Sequence, residues 1–271
     1  MKYRQKDTKL DAFAQLKALK SLPRPLYGQA LALPNTAIGR RHSHPWEQLS
    51  YATQGVIEVI TAAGRFVAPP HRAIWIPAGV PHGVKCYKGT EIRSLYIDSN
   101  LMPASSTGCR VVVVSPLLRE LIRAFSAAPI AYDEHGPDGR LARVLLDQLA
   151  IAHDAKLALP WPKDSRLRKL CSSLQAQPAN RKSLLKFSTE LGASAKTLSR
   201  LFQQQTGLSF RQWRQRLRML SALPMLERGD RVTDVALACG YESMSAFVAA
   251  FGEQMGVTPG EFFSEYRSLP E

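Results

Sequence analysis

The chain has 271 residues, 45% of them hydrophobic and 21% charged, and a formal net charge of +14. That length suits two ordinary domains, the composition is that of a globular protein, and the charge favours an anionic partner such as nucleic acid or an acidic membrane surface. No apolar run approaches the roughly 18 residues of a membrane span, and MKYRQKDTKLDAF carries no apolar core of a secretory signal. Cys86, Cys109, Cys171 and Cys239 are scattered without a CxxC, which suits reduced thiols in a cytoplasm.

Residues 1–24 form a basic arm, and 1–41 hold nine Lys and Arg against Asp7 and Asp11. From 26 to 98 the short runs QLSYAT, GVIEVIT, RFVAPP, RAIWIPA and EIRSLYID alternate with Gly and Pro signals, as in a sandwich or small barrel. Two histidine groups lie in this stretch. RHSHPWEQLSYATQG (41–55) contains His42, His44, Gln48 and Gly55, and IPAGVPHGVKC (76–86) contains Pro77, Gly79 and His82. On an extended strand His42, His44 and Gln48 share one face, while Glu47 points outward unless a bulge intervenes. The two groups resemble the two cupin motifs, and that resemblance would bring His42, His44, Gln48 and His82 together as three imidazoles and an amide, a set that suits a divalent Zn, Ni, Co or Fe ion. The same residues could instead line an effector pocket without metal, or simply pack. Cys86 is a further candidate neighbour, with a buried structural thiol as its plainer role.

After VVVVS (111–115) the pattern turns helical. PLLRELIRAFSAA (116–128) has Pro116 at a first helical position, and 139–155 carries Leu141, Leu145, Leu149 and Ala152 on one stripe. The stripe suits intramolecular core or a twin from a second subunit, so 116–155 is a candidate dimerisation segment. ALPWPKD, with its two prolines, reads as a linker over 159–164, closing a first domain at 25–158.

The remainder is helical and contains a repeat. LLKFSTELG (184–192) is followed by KTLSRLFQQQTG (196–207), and TDVALACG (233–240) by SAFVAAFGEQMG (245–256). Aligning Gly192 with Gly240 superimposes Phe187 on Val235 and Ser188 on Ala236. Beyond the turn Leu198 matches Phe247 and Phe202 matches Phe251. Small Ser188 and Ala236 allow close helix crossing, and Ser194 and Ser243 suit the N-cap of each second helix. The unit is a helix-turn-helix, present at about 183–207 and 232–256. Between the copies, SFRQWRQRLRML (209–220) buries Phe210, Trp213, Leu217 and Leu220. A helix continuing to Glu227 would span roughly 27 Å, a strut for two heads about one DNA turn apart, with Pro224 an awkward interior residue. Thr258 and Glu261 form a capping box for a closing helix with Pro259 at its start.

Charge marks the copies differently. Residues 163–218 hold thirteen Lys and Arg against Asp164 and Glu190, whereas 219–271 hold three Arg against eight acids. DNA binding therefore centres on the first copy.

The strings WRQRLRML, VTDVALACGYESMSAFVAAF and GVTPGEFF resemble, in order and spacing, the DNA-binding domain of the AraC/XylS family of bacterial transcription regulators, over about 165–268. The two histidine groups resemble cupin motifs, with Gln48 where the enzyme motif has a carboxylate. The resemblance implies an α+β protein of two domains: an N-terminal cupin-like β-barrel with following helices, and a C-terminal all-α domain with two helix-turn-helix units. It implies sequence-specific binding to promoter or operator DNA through Ala195, Lys196, Thr197, Arg200 and Gln203 in copy one, and Ser243, Met244, Ser245 and Ala249 in copy two. Family members often carry basic residues where this chain has Ala249 and Gly252, so copy two should chiefly position the protein. The implied partners are double-stranded DNA and a small-molecule or metal effector, with RNA polymerase and a second copy of the chain as further candidates. No membrane partner and no required cofactor are expected. Two rival readings are a metal-dependent cupin enzyme tethered to DNA and a non-specific architectural protein. The missing carboxylate counts against the first, and the duplicated reading helix against the second.

Overall fold

The computed structural model describes residues 21–32, 38–87, 90–101 and 108–267. Most of the basic arm thus lies outside the described residues. Arg24 at its end donates through Nε to the Tyr132 carbonyl at 2.8 Å. The chain divides into two compact units, Met1–Thr61 with Pro70–Lys156, and Ala62–Pro69 with Leu157–Glu271.

The first unit is built on antiparallel sheets. One comprises β1 (Leu26–Ala32), β3 (Glu47–Gln54), β6 (Arg72–Ile76), β8 (Glu91–Ile97) and β9 (Arg110–Val113), in the order β1-β8-β3-β6-β9. In the other, β7 (His82–Cys86) pairs with both β2 (Ile38–His42) and β4 (Ile57–Thr61). Register opposes Leu49 to both Trp75 and Leu95, so by strand alternation Leu49, Tyr51, Trp75, Leu95 and Ile97 share one face. Helices α1 (Pro116–Phe125) and α2 (Pro137–Ala150) cover that face with Leu118, Ile122, Phe125, Leu145 and Leu149. Each such side chain contributes roughly 1.5–3 kcal/mol on burial. Gln48, Ser50 and Ser94 alternate onto the opposite face and are also buried.

Ser115 caps α1 by accepting from the Leu118 amide at 3.1 Å, and Pro116 begins the helix. The leucine stripe of α2 thus belongs largely to its own unit's core. That helix ends at Ala150, short of the 155 suggested by periodicity, because the chain turns back to the sheet. Val113 N–H donates to the His153 carbonyl at 2.8 Å and Ala155 N–H to the Val111 carbonyl at 2.7 Å. Residues 153–155 satisfy the edge of β9 instead of extending a helix.

In the second unit β5 (Gly64–Ala68) pairs antiparallel with β10 (Ala158–Pro160). Part of the stretch expected as a linker is therefore strand, tolerated because Pro160 ends it at an edge. Among the described residues seven helices follow: α3 (Ser165–Ala176), α4 (Leu184–Leu191), α5 (Ala195–Thr206), α6 (Phe210–Glu227), α7 (Val232–Ala238), α8 (Met244–Met255) and α9 (Pro259–Arg267). Helix α6 does reach Glu227, and its 18 residues give the length of about 27 Å. It runs through Pro224, whose missing N–H and ring clash cost about 3 kcal/mol. The burial of Leu217, Leu220, Leu223 and Leu226 along the same helix offsets that cost. Trp213, fully buried, is its anchor: the indole N–H donates to the Pro160 carbonyl at 2.7 Å, and the ring lies 5.7 Å from Phe202. Arg216 reaches the Ala158 carbonyl at 3.2 Å, so the β5–β10 pair is held on this helix.

Candidate functional site

Helices α4 and α5 make one helix-turn-helix, and α7 and α8 the other. Both second helices have 12 residues and begin on a serine: Ser194 accepts from the Thr197 amide and Ser243 from the Ala246 amide, each at 3.1 Å. Phe187, Leu198 and Phe202 are buried in the first copy, as are Val235, Phe247 and Phe251 in the second. The turn residue Gly240 has φ +82, and a Cβ there would meet the Ala179 backbone at 2.7 Å. Conformation and space both require glycine at that position.

The outward faces differ. On α5, Lys196, Ser199, Arg200, Gln203 and Gln204 line one open concavity. Ala195 and Thr197 are only half-exposed, and the Thr197 hydroxyl lies 2.9 Å from Ser194 Oγ within the cap. Gln203 donates to the Gly207 carbonyl at 3.0 Å, a bond at the helix end. Ser199, three residues after Lys196, and Gln204, four after Arg200, share that face by helical spacing, although no motif singles them out. On α8, Ser243, Met244, Ser245 and Ala249 are exposed, and Glu253 follows Ala249 by one turn. This face offers no cation among the described residues, and its short side chains cannot grip a guanine edge or neutralise a phosphate.

The second candidate site lies in the first unit. His42 and His82 are register partners across β2 and β7, with ring centroids 4.3 Å apart. His44 joins them from the loop before β3, 5.2 Å from His82 and 6.0 Å from His42. One ligand atom from each imidazole lies within 4.8 Å of the other two. The turn after β6 arranges this group. Gly79, at φ +74, donates its N–H to the His44 carbonyl at 2.8 Å, and Val80 closes the turn on the Pro77 carbonyl. The Val80 carbonyl then lies 2.9 Å from His82 Nδ1. The Trp46 carbonyl meets His44 Nδ1 at 2.8 Å, and Gln48 Oε1 lies 2.8 Å from His44 Nε2. Burial lowers the His82 pKa to about 4 against the opposing pull of the Val80 carbonyl. It lowers that of His44 as well, against its bonds to Gln48 and Trp46. Both shifts favour the neutral ring.

Glu47 takes no part. It is buried beside the helix-covered face, not turned out to solvent, and accepts from Trp75 Nε1. Burial raises the Cys86 thiol to about 11, consistent with packing. The residues around the histidines that motif spacing did not single out are aromatic and hydroxylic. Trp46 stacks on His44 at 5.5 Å, Tyr96 meets it edge-on at 6.2 Å, and Ser50 accepts from Gln48 at 2.9 Å.

Tandem helix-turn-helix units in one unit, and in the other a two-sheet β domain that buries histidine, glutamine and serine side chains, are the parts of a DNA-binding regulator with a ligand-binding half. Comparison with known proteins agrees on both parts. Residues 25–153 match the AraC-like ligand binding domain, and 187–265 a helix-turn-helix domain. Over 228 residues the chain is 33% identical to the HTH-type transcriptional regulator NimR of Escherichia coli, covering 84% of this chain and 83% of NimR. It is 34% identical over 103 residues to the HTH-type transcriptional regulator RipA of Corynebacterium glutamicum, covering 38% of this chain and 31% of RipA. Among solved structures ToxT from Vibrio cholerae aligns over 90% of this chain and 98% of its own, at 12% identity and a TM-score of 0.39, too loose a likeness to carry an argument. The chain belongs to the AraC family of helix-turn-helix transcription regulators.

Proposed function

We propose that this regulator reads its operator chiefly through α5, with Lys196, Arg200 and Gln203 directed at base edges and phosphates and Ala195 and Thr197 close to the backbone. In this reading Ser243, Met244, Ser245 and Ala249 of α8 seat the protein in the neighbouring groove and add little affinity. An effector bound among His42, His44, Gln48 and His82 favours one DNA-binding arrangement over another, as differential binding requires. The active species is a homodimer in the cytoplasm, acts on transcription with RNA polymerase, and has no enzymatic role. One observation carries the reading: exposed Lys196 and Arg200 stand where the second copy has Ser245 and Ala249.

The test is affinity for an operator selected from fragments of the host genome. A good bidentate base contact is worth about 1–3 kcal/mol, so Arg200→Ala should weaken binding roughly 5- to 150-fold. Ser245→Ala should change it less than about threefold. Equal losses from the two substitutions would refute the ranking, and uniform affinity for any duplex would refute sequence-specific reading.

A further inference from the structure

We infer that His42, His44 and His82 form a nitrogen-rich site for one divalent transition-metal cation. For its regulatory consequence this rests on reading the first unit as the effector-binding half; the binding itself does not depend on that reading.

The argument begins with tautomers. A backbone carbonyl can only accept, so the Nδ1 atoms of His44 and His82, each facing one, must carry the proton. Each neutral ring then has its lone pair on Nε2. Carbonyl bonds of this kind to the far nitrogen fix the orientation of metal-binding histidines. His82 is fully buried, and its Nε2 finds no hydrogen-bond partner among the described residues. An unsatisfied buried acceptor is destabilising unless something else meets it.

His44 presents a related conflict. Its Nε2 lone pair faces Gln48 Oε1, which is also an acceptor. Rotating the Gln48 amide would supply a donor, and a cation shared by nitrogen and oxygen would satisfy both atoms. His42 completes the group from the adjacent strand, and one ring nitrogen of each of the three histidines lies within 4.8 Å of the other two.

The donor set also selects the ion. Three imidazoles, an amide oxygen and no carboxylate suit Zn, Ni, Co or Fe(II) and leave Mg and Ca poorly served, since those ions take hard oxygen ligands. Glu47, the nearest carboxylate in sequence, is bound to Trp75 on the other face of β3.

The experiment titrates full-length, tag-free apo-protein with Co(II), following visible d–d absorption together with calorimetry. The expected result is roughly one ion per chain with a nitrogen-ligated spectrum and competition by Zn(II). Losing one ligand should lower affinity at least as much as losing a supporting contact, about 10- to 100-fold, in His82→Gln and in His42→Gln. His42 is only half-buried, so its variant remains informative if replacing the fully buried His82 prevents folding. Loss of the spectrum and affinity in folded His42→Gln supports the site. Sub-stoichiometric cobalt in the wild type overturns it, as does cobalt binding unchanged in His42→Gln. No DNA enters this titration, so its outcome is separable from the operator-binding test.

Discussion

The two helix-turn-helix copies share a frame and differ in what they display. Each second helix starts on a capping serine, spans 12 residues and ends at a glycine in the left-handed region. Each sends a phenylalanine into an aromatic cluster: Phe202 lies 5.8 Å from Phe210, and Phe251 lies 5.6 Å from Phe262. Yet Lys196 and Arg200 project from one helix, and serine and alanine from the other. Packing and recognition are therefore separable, because the buried stripe and the free stripe occupy different sides of the same 3.6-residue period. A duplicated unit can keep its fold while one copy loses long side-chain reach.

The comparison breaks most visibly if the frames are unequal. Phe202→Ala and Phe251→Ala should each destabilise the second unit by about 3–5 kcal/mol in chemical denaturation, the range for large aromatic truncations in cores. A much smaller loss in one copy would mean that its frame is the looser. Removing the caps gives the next effect: Ser194→Ala and Ser243→Ala should each cost about 1 kcal/mol. The loss at Ser194 should be the greater if its contact with the Thr197 hydroxyl contributes. Binding measurements sharpen the difference in faces. Lys196→Ala should reduce the slope of log affinity against log salt by about 0.9, the value for one released counterion. Ala249→Lys should raise the slope by a similar amount if α8 does lie along a groove, and leave it unchanged if that helix stays clear of DNA. The smallest change should come from Glu253→Gln, which removes one exposed negative charge from α8 and should tighten binding by no more than about threefold at physiological salt, where surface charges are screened.

The histidine group was only partly legible in the sequence. Parity on one extended strand grouped His42, His44 and Gln48; His44 and Gln48 do bond to each other, but His42 ends β2 and His44 lies in the loop before β3. Parity also turned Glu47 away from them, yet it gave no hint that helices cover that side and hold the carboxylate on Trp75. The resemblance to two cupin motifs grouped His82 with His42 and His44, but local spacing did not indicate that His82, some forty residues on, would face His42 across a strand pair. That juxtaposition depends on the register of β2 with β7 and on the turn at Gly79, both non-local. Periodicity overran α2 for the same kind of reason: Ile151 and Ala152 continue the apolar pattern, but the amide and carbonyl groups of 153–155 are claimed by β9.

By itself the sequence determined the tandem helix-turn-helix, its caps, its buried phenylalanines and the unequal faces, because each depends on contacts a few residues apart along one helix. Only the tertiary structure decided that residues 62–69 belong with the C-terminal unit, that 158–160, at the start of the stretch with two prolines, is a strand on Trp213 and Arg216, and that three imidazoles converge. Those outcomes are set by pairing between distant segments, where the partner of a backbone group or a buried lone pair cannot be read from its neighbours in the chain.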